Sequence, residues 1–220
     1  MPGTYRRAYA YLIKTRGLSQ QIVDYFVRDL KILYEEKEHH NLVFLGKDKD
    51  GIVRYATKRG TADIYGKKYR GDVAGNDKNY GINIVNEKST ELKVFEANID
   101  LMSYMDIKGD FESNKLVLGM TADNPLVQFL KDHPHIKKIT FCMDNDEAGM
   151  LAMFGNEEKA GLLKKYEMQG YETDTDTVPQ GIGCKDWNEY LIYKKNGQDI
   201  GRTEPIENHQ VEYSRKRKCR

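Results

Sequence analysis

Cysteine is scarce: Cys142, Cys184 and Cys219 are the only three in 220 residues, far apart and odd in number. That excludes a disulfide framework, and with no Cys-x-x-Cys pair a zinc ribbon is excluded as well. The five histidines offer no substitute. His39-His40 and His133-Pro134-His135 lack the i, i+4 spacing that turns two imidazoles of one helix toward a shared metal, so they read as surface or capping residues and no zinc is expected. No apolar run approaches the ~20 residues of a membrane helix, and Met1 to Arg7 hold no signal-peptide core. The expectation is a cytoplasmic protein without a membrane partner. Net charge is also lacking, since 35 Lys plus Arg against 34 Asp plus Glu leave +1. Any electrostatic argument must therefore be local.

What is present suffices for a folded chain, because 39% hydrophobic residues in this length can bury a real core. Tyr5, Tyr9, Leu12 and Ile13, then Ile22, Val23, Phe26 and Val27, fall at helical spacing and predict helices over 4–15 and 19–29, with Gly17 breaking between them. The β-rich runs from Asn41 and from Ile52 flank Asp48-Lys49-Asp50-Gly51, a strong hairpin turn. A glycine-punctuated basic stretch follows, from Lys58-Arg59-Gly60 through Lys68 and Arg70 to Lys78, and its irregularity predicts a loop-rich surface. From Leu92 the pattern becomes strand (92–96), helix (98–107), strand (115–118), helix (124–132), strand (138–143), a long helical tract to about 169, strand (172–178) and a short helix from Asp186 to Lys195. Such alternation predicts an α/β fold, a mainly parallel sheet flanked by helices and preceded by a smaller α+β basic subdomain. The expected division is 1–88, 89–197 and a disordered basic tail over 198–220. Cys142, inside an apolar strand, reads as core.

Ligands of open parallel sheets bind beyond the carboxyl ends of the strands, and here those ends are acidic. The first strand ends in Val94-Phe95-Glu96, the third runs into Asp144-Asn145-Asp146-Glu147-Ala148-Gly149, and the last loop delivers Lys185-Asp186 before a helix. A hard dication such as Mg²⁺ takes one or two carboxylates plus water and phosphate, which suits this arrangement. Helix N-capping is the bland alternative for Asp144 and Asp146. It explains one aspartate, not an acid at two strand ends and a helix start together. Asp100, four residues after Glu96, is a further candidate acid at the same edge, with a plain first-turn acid as the equal alternative.

The segment Leu92 to Leu191 resembles the Toprim domain shared by bacterial primases, topoisomerases and some nucleases. Phe95-Glu96-Ala97-Asn98-Ile99-Asp100 is similar to the primase segment Glu-Gly-Tyr-x-Asp, and Met143 to Gly149 is similar to Asp-x-Asp-x-Ala-Gly. Upstream, the hairpin, Lys58-Arg59-Gly60, Lys68-Tyr69 and Tyr80-Gly81 resemble in order the basic half of a primase core. The nearest resemblance is to primase-like proteins of mobile elements in which a domain of unknown function precedes Toprim. Ala97 stands where the family has Gly, and Asn188 where it has a second acid, an amide whose oxygen can still ligate weakly. The zinc ribbon that usually precedes the primase core is missing from this sequence.

The resemblance implies Mg²⁺- or Mn²⁺-dependent nucleotidyl transfer on single-stranded DNA with nucleoside triphosphates. Glu96, Asp144 and Asp146 would be catalytic and, with Asp186 as an outer ligand, hold the metal, while Glu96 would be a ligand or general base. Arg59, Lys68, Arg70 and Lys78 would bind nucleic acid or nucleotide, and a helicase or relaxase-type protein is the implied protein partner. Two other readings stay open: a metal-dependent nuclease with the same acids, and a nucleic-acid-binding accessory module whose acidic site has decayed.

Overall fold

The computed structural model describes residues 4–62, 69–119 and 122–200. The N-terminal apolar spacing forms two helices: α1, Arg6–Tyr9, runs on as a π-helix over Ala10–Thr15, and α2, Gln20–Asp24, does the same over Tyr25–Asp29. Gly17, at φ +69°, makes the break between them. Ser19 caps α2, its hydroxyl accepting from the Ile22 N–H at 3.3 Å.

Strands β1 (Leu33–Glu35), β2 (Leu42–Lys47), β3 (Val53–Arg59) and β4 (Arg70–Asp72) form an antiparallel sheet in that order. The predicted β2–β3 turn is held by the Asp48 carboxylate, which accepts from the Asp50 and Ile52 N–H groups and from Arg54. Part of the basic stretch expected as loop is instead edge strand: Arg70–Asp72 pairs with Thr57–Arg59. With no apolar side chain in those three residues, nothing in the pattern marks a strand.

The second sheet contains β5 (Ile82–Ile84), β6 (Glu91–Phe95), β7 (Asn114–Val117), β8 (Lys138–Phe141) and β9 (Glu172–Thr175), in the order β5-β7-β6-β8-β9. All neighbours are parallel except β5 on β7. This is the expected mainly parallel α/β sheet, and strand alternation distributes its two cores. Phe95, Val117 and Cys142 face α3 (Asn98–Lys108), α7 (Trp187–Ile200) and the N-terminal helices. Leu92, Val94, Ile139 and Phe141 face α4 (Asn124–Asp132), α5 (Glu147–Phe154) and α6 (Leu162–Glu167). Cys142 is fully buried, as read.

The long helical tract expected to about 169 is two helices. Gly155, at φ +76°, ends α5, and a Cβ there would lie 2.2 Å from the Lys159 carbonyl oxygen. The chain therefore pinches back on itself before α6. A second close approach joins the sheets: a Cβ on Gly46 would lie 2.2 Å from the Gly81 carbonyl oxygen. Beside it the Asn83 amide donates to the Lys47 carbonyl at 2.6 Å. The predicted last helix begins one residue later and runs on to Ile200. The remainder of the expected tail, 201–220, lies outside the described residues.

Candidate active site at the acidic sheet edge

Two adjacent parallel strands, β6 and β8, end side by side and release Glu96 and Asp144 at the same edge. Asp146 caps α5, its Oδ1 accepting from the Gly149 N–H at 2.9 Å. Gly149 is required there, since a Cβ would lie 2.2 Å from the Asp144 carbonyl oxygen. Asp186 occupies the start of α7, where its Oδ1 accepts from the Glu189 N–H at 2.7 Å. Asp100, in the first turn of α3 and 6% exposed, accepts from the Asn188 N–H at 3.1 Å. Capping thus accounts for one oxygen each of Asp146 and Asp186. It does not account for Asp144, which caps no helix.

The five carboxylates interact. Burial pushes Asp144 up to about 8, reinforced by Asp100, Glu96, Asp186 and Asp146 in that order. Glu96 is raised by burial and then by Asp146. Asp100 rises to about 7, through burial first and Asp186 second, against the Asn188 hydrogen bond and the charges of Arg59 and Arg16. Burial in a site crowded with like charges is a poor environment for carboxylates unless a cation joins them.

Unpaired polar atoms point the same way. Glu96 Oε2, Asn98 Oδ1, Asp144 Oδ1 and Asn145 Oδ1 are all buried without a hydrogen-bond partner. Orphaned acceptors cost about 1–3 kcal/mol each, and all four, on residues that follow the two strand ends, are oxygens, the donor type a hard dication takes. All-oxygen donors are the chemistry Mg²⁺ or Mn²⁺ takes, although among the described residues no three carboxylates of this edge bring ligand atoms within 4.8 Å of one another. Asn98 was not anticipated from the sequence; its signal is a polar residue opening the helix directly beyond an acidic strand end.

A cleft of about 550 Å³ runs between the two sheets. Arg59, Arg70 and Lys78 line one wall, and Glu96 and Asn98 line the other. Glu96 therefore belongs to both the cleft and the acidic cluster. Arg59 donates to the Tyr11 hydroxyl at 3.3 Å. Burial lowers its pKa, yet a guanidinium remains charged. Arg70 is exposed. Lys78 forms an ion pair with Asp72, whose carboxylate also accepts from the Tyr55 hydroxyl at 2.7 Å. Lys78 is thereby partly neutralised, while Lys68 lies outside the described residues.

Asn188 departs from the expectation of a weak ligand. It is 3% exposed, its Oδ1 accepts from Arg16 at 3.1 Å, and its Nδ2 donates to the Arg16 carbonyl at 2.8 Å and the Ser103 hydroxyl at 3.0 Å. Where the second acid of the pattern would stand, the amide ties the N-terminal helices to α3 and α7. Its oxygen is spent on the protein.

Comparison with known proteins agrees with this architecture. Residues 93–191 match a family described as Toprim-like, and residues 10–88 match one described as a protein of unknown function (DUF3991). An uncharacterized protein of Bacillus anthracis is 30% identical over 203 residues, covering 84% of this chain and 56% of that protein. The chain thus spans little more than half the length of that relative. The fold is similar to the primase fragment of the bacteriophage T7 primase-helicase protein, with a TM-score of 0.56 and 15% identity over 86% of this chain and 72% of that one. It is also similar to the zinc-binding and RNA polymerase domains of Aquifex aeolicus primase, with a TM-score of 0.57 and 18% identity over 90% of this chain and 55% of that one. At these identities the likeness is one of fold. Among the described residues no helix is long and apolar enough to cross a membrane.

Proposed function

Because this is a Toprim-domain protein folded like the catalytic core of a primase, we propose that it acts in the DNA metabolism of a mobile element by metal-dependent nucleotidyl transfer on single-stranded DNA. One observation carries the reading: Glu96 and Asp144 each bury an unpartnered carboxylate oxygen where two parallel strands end beside a cleft lined with arginine. Asp144 and Asp146 would be the principal ligands of Mg²⁺ or Mn²⁺, with Glu96 beside them and Asp186 as an outer ligand. A dication bound there supplies neutralisation of charge developing on phosphate and a lowered pKa for the attacking hydroxyl.

The chain's own groups do the rest. Arg59 and Arg70 neutralise phosphates of template or incoming triphosphate in the cleft, and Lys78 joins them if it leaves Asp72. Glu96 takes the proton of the 3′ hydroxyl as O3′ bonds to the α-phosphorus and the bond to pyrophosphate breaks. Asp100, behind the edge, anchors the start of α7 through the Asn188 N–H. A helicase or relaxase-type partner would bring the template.

The test is incubation with labelled NTPs or dNTPs, single-stranded DNA and Mg²⁺ or Mn²⁺. Metal-dependent oligonucleotide synthesis that disappears in the Glu96→Gln, Asp146→Asn double variant is expected. Strand cleavage in place of synthesis would replace transfer by hydrolysis at the same acids. DNA binding with neither activity would leave the accessory-module reading.

A further inference from the structure

The edge of the parallel sheet opposite the carboxylates carries a different cluster. Glu87 lies in the β5–β6 turn, which is fixed by the Ser89 N–H donating to the Asn86 carbonyl at 3.0 Å and by Asn114 accepting from the Asn86 N–H at 2.8 Å. The α4–β8 turn, His133-Pro134-His135, lies against it, with the Lys137 N–H donating to the Thr90 carbonyl at 2.8 Å. Both imidazoles direct Nδ1 at the one carboxylate: His133 Nδ1 is 3.4 Å from Glu87 Oε1, and His135 Nδ1 is 3.5 Å from Oε2. One ligand atom from each residue lies within 4.8 Å of the other two.

These separations decide between two readings. A hydrogen bond from an imidazole N–H to a carboxylate is about 2.7–3.2 Å long, shorter than either contact. The edge of a tetrahedron around a metal with bonds of ~2.0–2.1 Å is ~3.4 Å. Two of the separations, each to a different oxygen of Glu87, match that edge, and one ligand atom from each of the three residues lies close enough to the others for one ion to draw them together. His133, 5% exposed, packs against Phe129 with ring centres 4.4 Å apart and planes tilted by 41°. His133 also follows the last residue of α4, whose carbonyl end favours a cation. His135 Nε2 is buried without a partner, so Nδ1 is the ring nitrogen that faces a group.

We propose that Glu87, His133 and His135 form a zinc site, open to solvent at its fourth position, that staples the β5–β6 turn to the α4–β8 turn. Two imidazoles and one carboxylate are a known zinc donor set and a poor one for Mg²⁺. The site stands apart from the acidic edge and is independent of what happens there.

The experiment uses the full chain stripped with a chelator and then titrated with zinc in excess Mg²⁺, followed by calorimetry, melting curves and zinc X-ray absorption. One equivalent of zinc is expected, with imidazole scattering in the absorption spectrum and a raised melting temperature. The Glu87→Gln, His135→Gln double variant should weaken binding roughly 10-fold or more and lose the imidazole signature, and it avoids touching the buried His133. The Glu96→Gln, Asp146→Asn variant should bind zinc as the wild type does. Unchanged affinity in the Glu87/His135 variant, or a zinc spectrum without imidazole, would overturn the proposal.

Discussion

Replacing Asp144 by Asn should make the metal-free protein more stable at neutral and alkaline pH while removing its metal-dependent activity. The folded-state pKa of Asp144 lies near 8 against an ordinary 3.8, with burial as the main cause and four neighbouring carboxylates adding to it. Below about pH 4 both folded and unfolded chains hold the proton, and Asp144 makes no difference. As the pH rises the unfolded chain ionises first, so stability falls until about pH 8, where the folded carboxylate also gives up its proton and the penalty is complete. At about 1.4 kcal/mol per pH unit the interval corresponds to at most about 6 kcal/mol. Asp144 is only partly buried, and solvent screening brings this to about 2 kcal/mol. Asn keeps the shape and drops the charge, so at pH 8.5 the variant should melt roughly 4–8 °C above the wild type, and the two should converge near pH 4. Added Mg²⁺ should raise the wild type and leave the variant almost unmoved. Melting curves from pH 4 to 9 with and without metal decide it. A variant that melts at or below the wild type throughout, or still responds fully to Mg²⁺, would refute the crowding argument.

Asn188→Asp, which restores the acid of the primase pattern, should destabilise by about 2–3 kcal/mol in urea unfolding, because it turns a donor to Arg16 and Ser103 into an acceptor and adds charge beside Asp100; Mg²⁺ should not restore the loss. Joint replacement of Arg59, Lys68 and Arg70 by Gln should weaken single-stranded DNA binding and make its logarithmic salt dependence shallower by about 2, at ~0.7 for each phosphate no longer neutralised; an unchanged slope across several salt concentrations would move the binding surface elsewhere.

Much of this was legible because strand ends and periodicity are local. Val94-Phe95-Glu96 and Met143-Asp144 declare a buried strand followed at once by an acid, and parallel pairing of β6 with β8 is enough to set the two acids side by side. The unread parts depend on partners distant in sequence. Arg70–Asp72 is a strand only because β3 lends it partners. Asn188 read as a weakened ligand because nothing near it in sequence reveals Arg16 or Ser103 as its partners. The histidines read as isolated because the expected metal pattern was two imidazoles on one helix, whereas Glu87 reaches them from another turn. The break at Gly155 was missed because the residues around it keep helical spacing, and the obstruction is the backbone of Lys159.

The N-terminal residues matter to the acidic edge for a reason that the division into two sequence families conceals. Leu12, Ile22 and Phe26 lie in the same core as Ile99, Tyr104 and Trp187, so the helices before the first sheet complete the packing of α3 and α7. Polar ties run through the same junction: Asp106 accepts from the Ser19 N–H at 2.7 Å, and Arg16 binds both Tyr11 and Asn188. Tyr11 in turn accepts from Arg59, whose guanidinium lines the cleft and whose charge, with that of Arg16, opposes the rise of the Asp100 pKa. Arg59 is thus placed both to meet a phosphate in the cleft and to favour the ionised form of Asp100 behind the carboxylates. An acidic edge that must keep several ionised groups close together needs fixed positive charge nearby when no cation is bound. Here the N-terminal part of the chain provides it, through an arginine held in position by a tyrosine from the first helix.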